Sequence, residues 1–469
     1  MKNSSTSSAA NDTPSKDSST VDSSSNSDGV TENTSCAATS SSESSAVTPP
    51  SSSASGDVST PSSSASTSIE TSDDSESGTI SNGSIRNCVN VLDYGAKPDE
   101  GGVDDTDAFL AAIATGKSVY VPAGYYFVSQ GLKLRNQNLY GDGMFQTFII
   151  STTDNLYMPV LSLGRTTSVE DLTIGFKTEI ITGEEQWIQR IGIITGDDYD
   201  TGSWCLQRGS QINRVGIADV GTGICSCDLN NVEGYTSFSV LYTNLEIRDF
   251  SYRGIDFTAG TRTGNVFSNI YMNSKYTVDC LFNMEGEESE TSITQLNLEH
   301  TKVKRAAMSL VGCRALAIST LHIEGILLSA EDSAYIYLAN TSGSMEAVSV
   351  YYTAVDANYC SLIKIGDAVY DINAEWQTDP PALLSKLRIG TLHLKGLHNP
   401  NEGIHGNERP FKGLNDLVGF KFIKRVANAK GNYKVTIDNY VYFSFQSDWA
   451  KYTDFAREGN VTVVSDQIS

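Results

Sequence analysis

The stretch ISTLHIEG, residues Ile318–Gly325, returns as IGTLHLKG at residues Ile389–Gly396. Five of the eight letters are identical, and one more exchanges Ile for Leu. Both phrases alternate apolar and polar side chains, the two-residue period of a strand that buries one face. Related runs lie upstream: LEIRD (Leu245–Asp249), IYMNS (Ile270–Ser274), LNLEH (Leu296–His300), LHIEG (Leu321–Gly325) and VYYTA (Val350–Ala354). Their starts are 25, 26, 25 and 29 residues apart. LHLKG (Leu392–Gly396) follows after a step of 42, either one coil with an insertion or two short coils. A period near 25 with alternation in register fits one coil of a parallel β-helix, each coil stacked on the last at about 4.8 Å. A propeller blade would need roughly 40 residues per unit. The leucines recur because they line one interior stack. The second and fourth positions of each run face outward and are free to carry chemistry.

The 469 residues split by composition. Residues 1–85 hold 32 serines and no Phe, Tyr or Trp. With so little to bury, such a segment cannot offset the entropy of ordering its backbone, so it reads as a disordered spacer or attachment arm. The start, MKNSSTSSAAND, lacks the apolar core of a secretory signal, and no apolar run is long enough for a membrane span. A protein that works outside the cell without these features must leave by another route, of which lysis of a host is one. The eight cysteines form no CxxC pair, so free, packed thiols are expected and a zinc site is not. A net charge of −23 leaves no basic stripe for nucleic acid. Neither a cofactor nor a metal is called for.

The ordered part opens with NVLDYGAKPD, from Asn90. DDTDAFLAAIATG follows and reads as a short helix: Asp105 or Thr106 caps it, Phe109, Ala112 and Ile113 form its apolar stripe, and Gly116 ends it. SVYVP, YYFVS and LKL then alternate as strands, broken at Pro122, Gly124, Gly131 and Gly141. Together NVLDYGAKPD, DDTDAFLAAI, SVYVPAGYYFVS and LYGDG resemble the opening of the pectate-lyase-like right-handed β-helix superfamily over about Asn90–Ile150. The resemblance implies an all-β, right-handed parallel β-helix, with the short helix at its N-terminal end and YVPAG starting the first coil. It sets the expected organisation: a Ser-rich tail at 1–85, a β-helix at 86–397 and a β-rich closing or trimerisation region at 398–469. The NTD and RxK motifs of a polygalacturonase are absent, and HG occurs only at His405–Gly406. The chain looks more like a bacteriophage tailspike, a homotrimeric virion protein that acts at the host cell surface. The resemblance implies binding and depolymerisation of a bacterial surface polysaccharide, with the N-terminal region meeting other phage tail proteins. A β-helix that only binds glycan is the competing class, and a polysaccharide lyase is a further one.

Laid over one another, the runs put Arg248, Asn273, Glu299, Glu324, Thr353 and Lys395 at position four. Position two receives Glu246, Tyr271, Asn297, His322, Tyr351 and His393. Glu299 and Glu324 thus fall on neighbouring coils. Glycoside cleavage needs such a pair, one acid for the leaving oxygen and one carboxylate as base or nucleophile. Arg248, Asn273 and His322 are placed to hold sugar hydroxyls, and Tyr271 and Tyr351 to offer stacking faces. Outward glutamates on a solenoid are ordinarily solvated surface, which is the bland alternative. Asp256 in GIDF and Asp279 in TVDC are the alternative acids, or ligands for Ca²⁺ in a lyase, with Arg253 as its base. GDDYD (Gly196–Asp200) reads as a turn, and Trp204, Trp376 and Trp449 as binding platforms or loop packing.

Overall fold

A computed structural model describes residues 87–100, 102–177, 190–195, 209–226, 237–351, 354–355, 357–366, 384–395, 421–425 and 432–443. Outside these lie the Ser-rich tail, the GDDYD loop, Thr353, Trp204, Trp376, Trp449, His398 and His405. Among the described residues, no helix is long and apolar enough to cross a membrane.

The coils form two large parallel sheets, of 14 and 13 strands. Strands of one sheet come from successive coils, as a solenoid requires. In the 14-stranded sheet, Gln211–Ala218, Leu241–Arg248, Val266–Asn273, Ser292–Glu299, Leu316–Glu324, Ser342–Tyr351 and Leu384–Lys395 pair in that order. The inward files are those read from the leucines. Leu245, Ile270, Leu296, Leu321 and Leu392 are buried in one. Ile247, Met272, Leu298, Ile323 and Leu394 are fully buried in the other. Each such side chain removed from water contributes about 1.5–3 kcal/mol, so the register is strongly fixed.

One coil is placed differently from the sequence alignment. Val348, not Val350, pairs with Leu321, while Val350 pairs with Ile323 and Tyr351 with Glu324. The sequence reading had slipped by two residues. A two-residue slip keeps the in–out alternation intact, so periodicity cannot detect it. The long step before LHLKG is one coil with an insertion, because Ser342–Tyr351 pairs directly with Leu384–Lys395. Two strands of the region beyond residue 397 continue the sheets: Lys421–Arg425 pairs with Ser361–Ile365, and Asn432–Phe443 with Leu384–Lys395.

Four successive coils bend just before the inward file. Asp171, Arg214, Asn244 and Asn269 share one register position, and all have φ of 53–58°. Asn tolerates this left-handed geometry better than most residues. Asn269 donates to Asn244, and Asn244 to Asn213, at 2.9 and 3.0 Å, which ladders the bend from coil to coil.

The short helix spans Thr106–Ala114 and buries Ala108, Phe109 and Ala112. Phe109 packs edge-on against Tyr126 of the first coil, with ring centroids 5.7 Å apart. Its N-terminus is satisfied by a different carboxylate from the one expected. Asp105 occupies the cap position but accepts from the backbone N–H groups of Lys97 and Phe127. Asp104 instead accepts from the N–H of Thr106 at 3.0 Å. Of the five described cysteines, four are buried and Cys88 is exposed.

Candidate carboxylate site

Two outward files flank the fully buried Ile247–Met272–Leu298–Ile323–Val350 file. One carries Glu246, Tyr271, Asn297, His322, Ser349 and His393. The other carries Arg248, Asn273, Glu299, Glu324 and Tyr351, the last in backbone register with Lys395. Strand geometry sets this arrangement, because residues two apart project from the same face. The corrected register moves Tyr351 beside Glu324 and puts Ser349 next to His322.

Glu299 and Glu324 face each other across adjacent strands. One ligand atom each from Glu299, His322 and Glu324 lie within 4.8 Å of one another. All three are partly enclosed, with side chains 19%, 23% and 30% exposed in that order. His322 Nε2 is 2.9 Å from Glu324 Oε2. The imidazole also meets the Tyr351 ring edge-on, with centroids 5.4 Å apart. His300 Nε2 approaches Glu299 at 3.8 Å from the turn that ends its strand. The Tyr271 phenol has its pKa raised, first by burial and then by the Glu299 carboxylate, to which it hydrogen-bonds. Asn273 donates to the same phenolic oxygen at 3.2 Å. Arg248 pairs with Glu246, and its guanidinium lies 5.7 Å from the Tyr271 ring centre.

The structure therefore brings Arg248, Tyr271, Asn273, Glu299, His322, Glu324 and Tyr351 onto one outward strip. Sequence reasoning missed His300, which sits at φ 46° in the turn after Glu299. The signal was available: His300 occupies the place that Gly325 fills one coil later.

Asp256 and Asp279 lie in the 13-stranded sheet and do not stack on one another. Asp256 pairs in register with Asn283, and Arg253 with Cys280. Asp256 is 1% exposed and accepts from Arg253 Nη1 at 2.7 Å, Thr258 Oγ1 at 2.6 Å and Asn283 Nδ2 at 2.9 Å. Asp279 accepts from Arg253 Nε at 2.7 Å and Arg305 Nε at 3.1 Å. Burial opposes the Arg253 charge, but Asp256 and Asp279 outweigh it and hold its pKa above the ordinary arginine range. An arginine so held stays protonated, and its two carboxylates are already engaged.

Residues 88–300 match the family described as rhamnogalacturonase A/epimerase, pectate lyase-like. The matched segment includes the opening motifs that carry the resemblance. The chain is 28% identical over 172 residues to the preneck appendage protein of Bacillus phage PZA and to the pre-neck appendage protein of Bacillus phage phi29. The aligned segment covers 37% of this chain but only 17% of each relative. Among solved structures, the tailspike of an Acinetobacter phage aligns over 82% of this chain and 63% of its own, at 12% identity and TM-score 0.43. An α-1,3-glucanase catalytic unit from Streptomyces thermodiastaticus aligns over 83% and 69%, at 15% identity and TM-score 0.43.

Proposed function

We propose that this chain is a tailspike-type virion protein of a bacteriophage, and that it binds a bacterial surface polysaccharide and cleaves it at the Glu299–Glu324 pair. The observation that carries the reading is the stacking of those two carboxylates, with His322, on the outer face of a pectate-lyase-like solenoid. The phage appendage relatives support the virion setting.

The geometry divides the roles. The Tyr271 phenol donates to Glu299 and holds that carboxylate in position, which suits a nucleophile or base. Glu324 shares a hydrogen bond with His322, which suits a group that gives up and regains a proton. Carboxylate oxygens within 4.8 Å match the close spacing of a retaining hydrolase, about 5–5.5 Å, better than the wider spacing of an inverting one. In this scheme Glu299 attacks the anomeric carbon while Glu324 protonates the leaving oxygen. Water, deprotonated by Glu324, then releases the sugar. Arg248, Asn273 and Tyr351 flank the pair as hydroxyl donors and a stacking face. A homotrimer attached to other tail proteins through residues 1–85 belongs to the same reading.

The test is to incubate the full chain with surface polysaccharide of a bacterium it binds and to weigh the products. Glu324→Gln and Glu299→Gln should each abolish new oligosaccharides while leaving thermal unfolding unchanged. Undiminished cleavage by either variant removes the pair from the chemistry. Binding by the unmodified chain without any product assigns it instead as an adhesin, and unsaturated products assign it as a lyase.

A further inference from the structure

The outward files do not begin at Glu246 and Arg248. Followed toward the N-terminus, Glu246 is in register with Gly216, Thr173, Phe148 and Tyr125. Arg248 is in register with Ala218, Gly175, Ile150 and Phe127. Between them run Tyr126, Ile149, Ile174, Ile217 and Ile247, all at most 1% exposed. With that file inside, its neighbours on either side project outward.

The strip therefore has three zones. The first is apolar: Tyr125, Phe127, Phe148 and Ile150. Tyr125 is 46% exposed, and its ring stacks on Phe148 at 4.3 Å and 4°. The Lys177 ammonium lies 4.9 Å from the Phe127 ring centre. The second zone holds only Thr173, Gly175, Gly216 and Ala218, so nothing longer than threonine rises from it. At its margin the Thr173 hydroxyl donates to the Met144 carbonyl, anchoring the turn that carries Phe145, which is 66% exposed. The third zone runs from Glu246 and Arg248 to the glutamates.

Exposed aromatics grouped on one face of a strongly acidic chain mark a contact. The zones have the order a linear glycan needs. Sugar rings present C–H faces that lie on aromatic rings and hydroxyl edges that bond to carboxylates and guanidinium. A stretch of small side chains, Thr173, Gly175, Gly216 and Ala218, joins the two ends. Phe148 lies three coil steps from Glu246, about 14 Å, and Tyr125 lies seven from His322, about 34 Å.

We propose that Tyr125 and Phe148 form a remote subsite for the polysaccharide. The glycan lies parallel to the solenoid axis, anchored on the aromatic pair and reaching the Glu299–Glu324 pair across the Thr173–Gly216 stretch. The inference rests on the glycan-binding reading above and adds to it a direction and a length: short oligosaccharides reach one end only, and long chains engage both.

The experiment uses the full chain and one probe, the surface polysaccharide extracted from a bacterium that the unmodified chain binds, both intact and cut to short oligosaccharides. Tyr125→Ala with Phe148→Ala should lower affinity for the intact polysaccharide at least tenfold and leave affinity for the shortest fragments unchanged. In cleavage, KM should rise with kcat retained. Tyr125→Ala alone changes an exposed residue and keeps the test readable if the double variant unfolds. Equal loss on short and long probes, or no loss on the long one, overturns the subsite. So does a fall in oligomeric state by light scattering, which would make the patch a contact between copies of this chain. If no bacterium or polysaccharide is bound by the unmodified chain, the glycan-binding reading fails along with this one. If the glutamine variants lose cleavage while the aromatic variants do not change binding, only the subsite fails.

Discussion

Replacing Gly325 with alanine tests the coil turn and the site together. Gly325 ends the strand that carries Glu324 and has φ +62°. A side chain there takes the left-handed conformation, which costs roughly 1–2 kcal/mol for an L-residue. Its Cβ would also lie 2.4 Å from His300 Nδ1 and 3.0 Å from Cε1, closer than atoms can approach. Since the clash is with a side chain, the imidazole must swing aside, away from its 3.8 Å approach to Glu299. Strain and lost packing together predict a loss of about 2–3 kcal/mol in urea-induced unfolding, at unchanged m. The two components separate in a double-mutant cycle. In a His300→Ala background the clash disappears and only the backbone strain remains, so Gly325→Ala should cost about 1 kcal/mol less there. Polysaccharide cleavage should fall in Gly325→Ala through displacement of His300. An unchanged unfolding midpoint together with additivity in the cycle would refute the stacking of this turn on His300.

Three further outcomes follow from other parts of the molecule. Glu324→Gln and Glu299→Gln should lose cleavage while unfolding within about 0.5 kcal/mol of the parent, as partly exposed substitutions usually do; mass spectrometry and urea titration check both. Asp256→Ala should cost about 3–5 kcal/mol, because it leaves Arg253 half-compensated in a buried ion network; a change below 1 kcal/mol contradicts that network. Burial works against ionisation of Asp332, but hydrogen bonds from Lys364 and Lys424 prevail and lower its pKa below the usual 3.8. Its contribution is therefore present above the unfolded value and lost as pH falls through the folded one, so Asp332→Asn should lower stability at neutral pH, leave it little changed below the folded value, and so flatten the acid limb of the stability–pH curve.

The inward files were legible because leucine and its kin repeat at nearly constant spacing from Leu245 to Leu321. That spacing placed Glu299 over Glu324 without any tertiary information. It failed at the next coil, where an unequal length allowed a two-residue slip that alternation could not reveal, and Tyr351 was put in the wrong file. The helix was readable from its apolar stripe, but not the exchange between Asp104 and Asp105. That exchange depends on Lys97 and Phe127, brought close only by the coil. Arg253, three residues before Asp256, was visible beside the second pair of acids, but its hold on Asp279 and the contact from Arg305 on the next coil were not, because both depend on the stacking of coils. The register joining Tyr125 and Phe148 to the glutamate files was hidden by coils of very different length between Phe148 and Glu246.

The central claim, that Ser292–Glu299 and Leu316–Glu324 stack in register with these side chains outward, can be tested directly by cross-linking. Asn297 and His322 are register partners. Cysteines there would have Cα atoms about 5 Å apart, within the range a disulfide spans. With exposed Cys88 changed to serine, mild oxidation of Asn297→Cys/His322→Cys should give a quantitative intramolecular disulfide. Asn297→Cys/Ser349→Cys, two coils apart and near 10 Å, should give none. A disulfide in the second pair, or its absence from the first, would contradict the account.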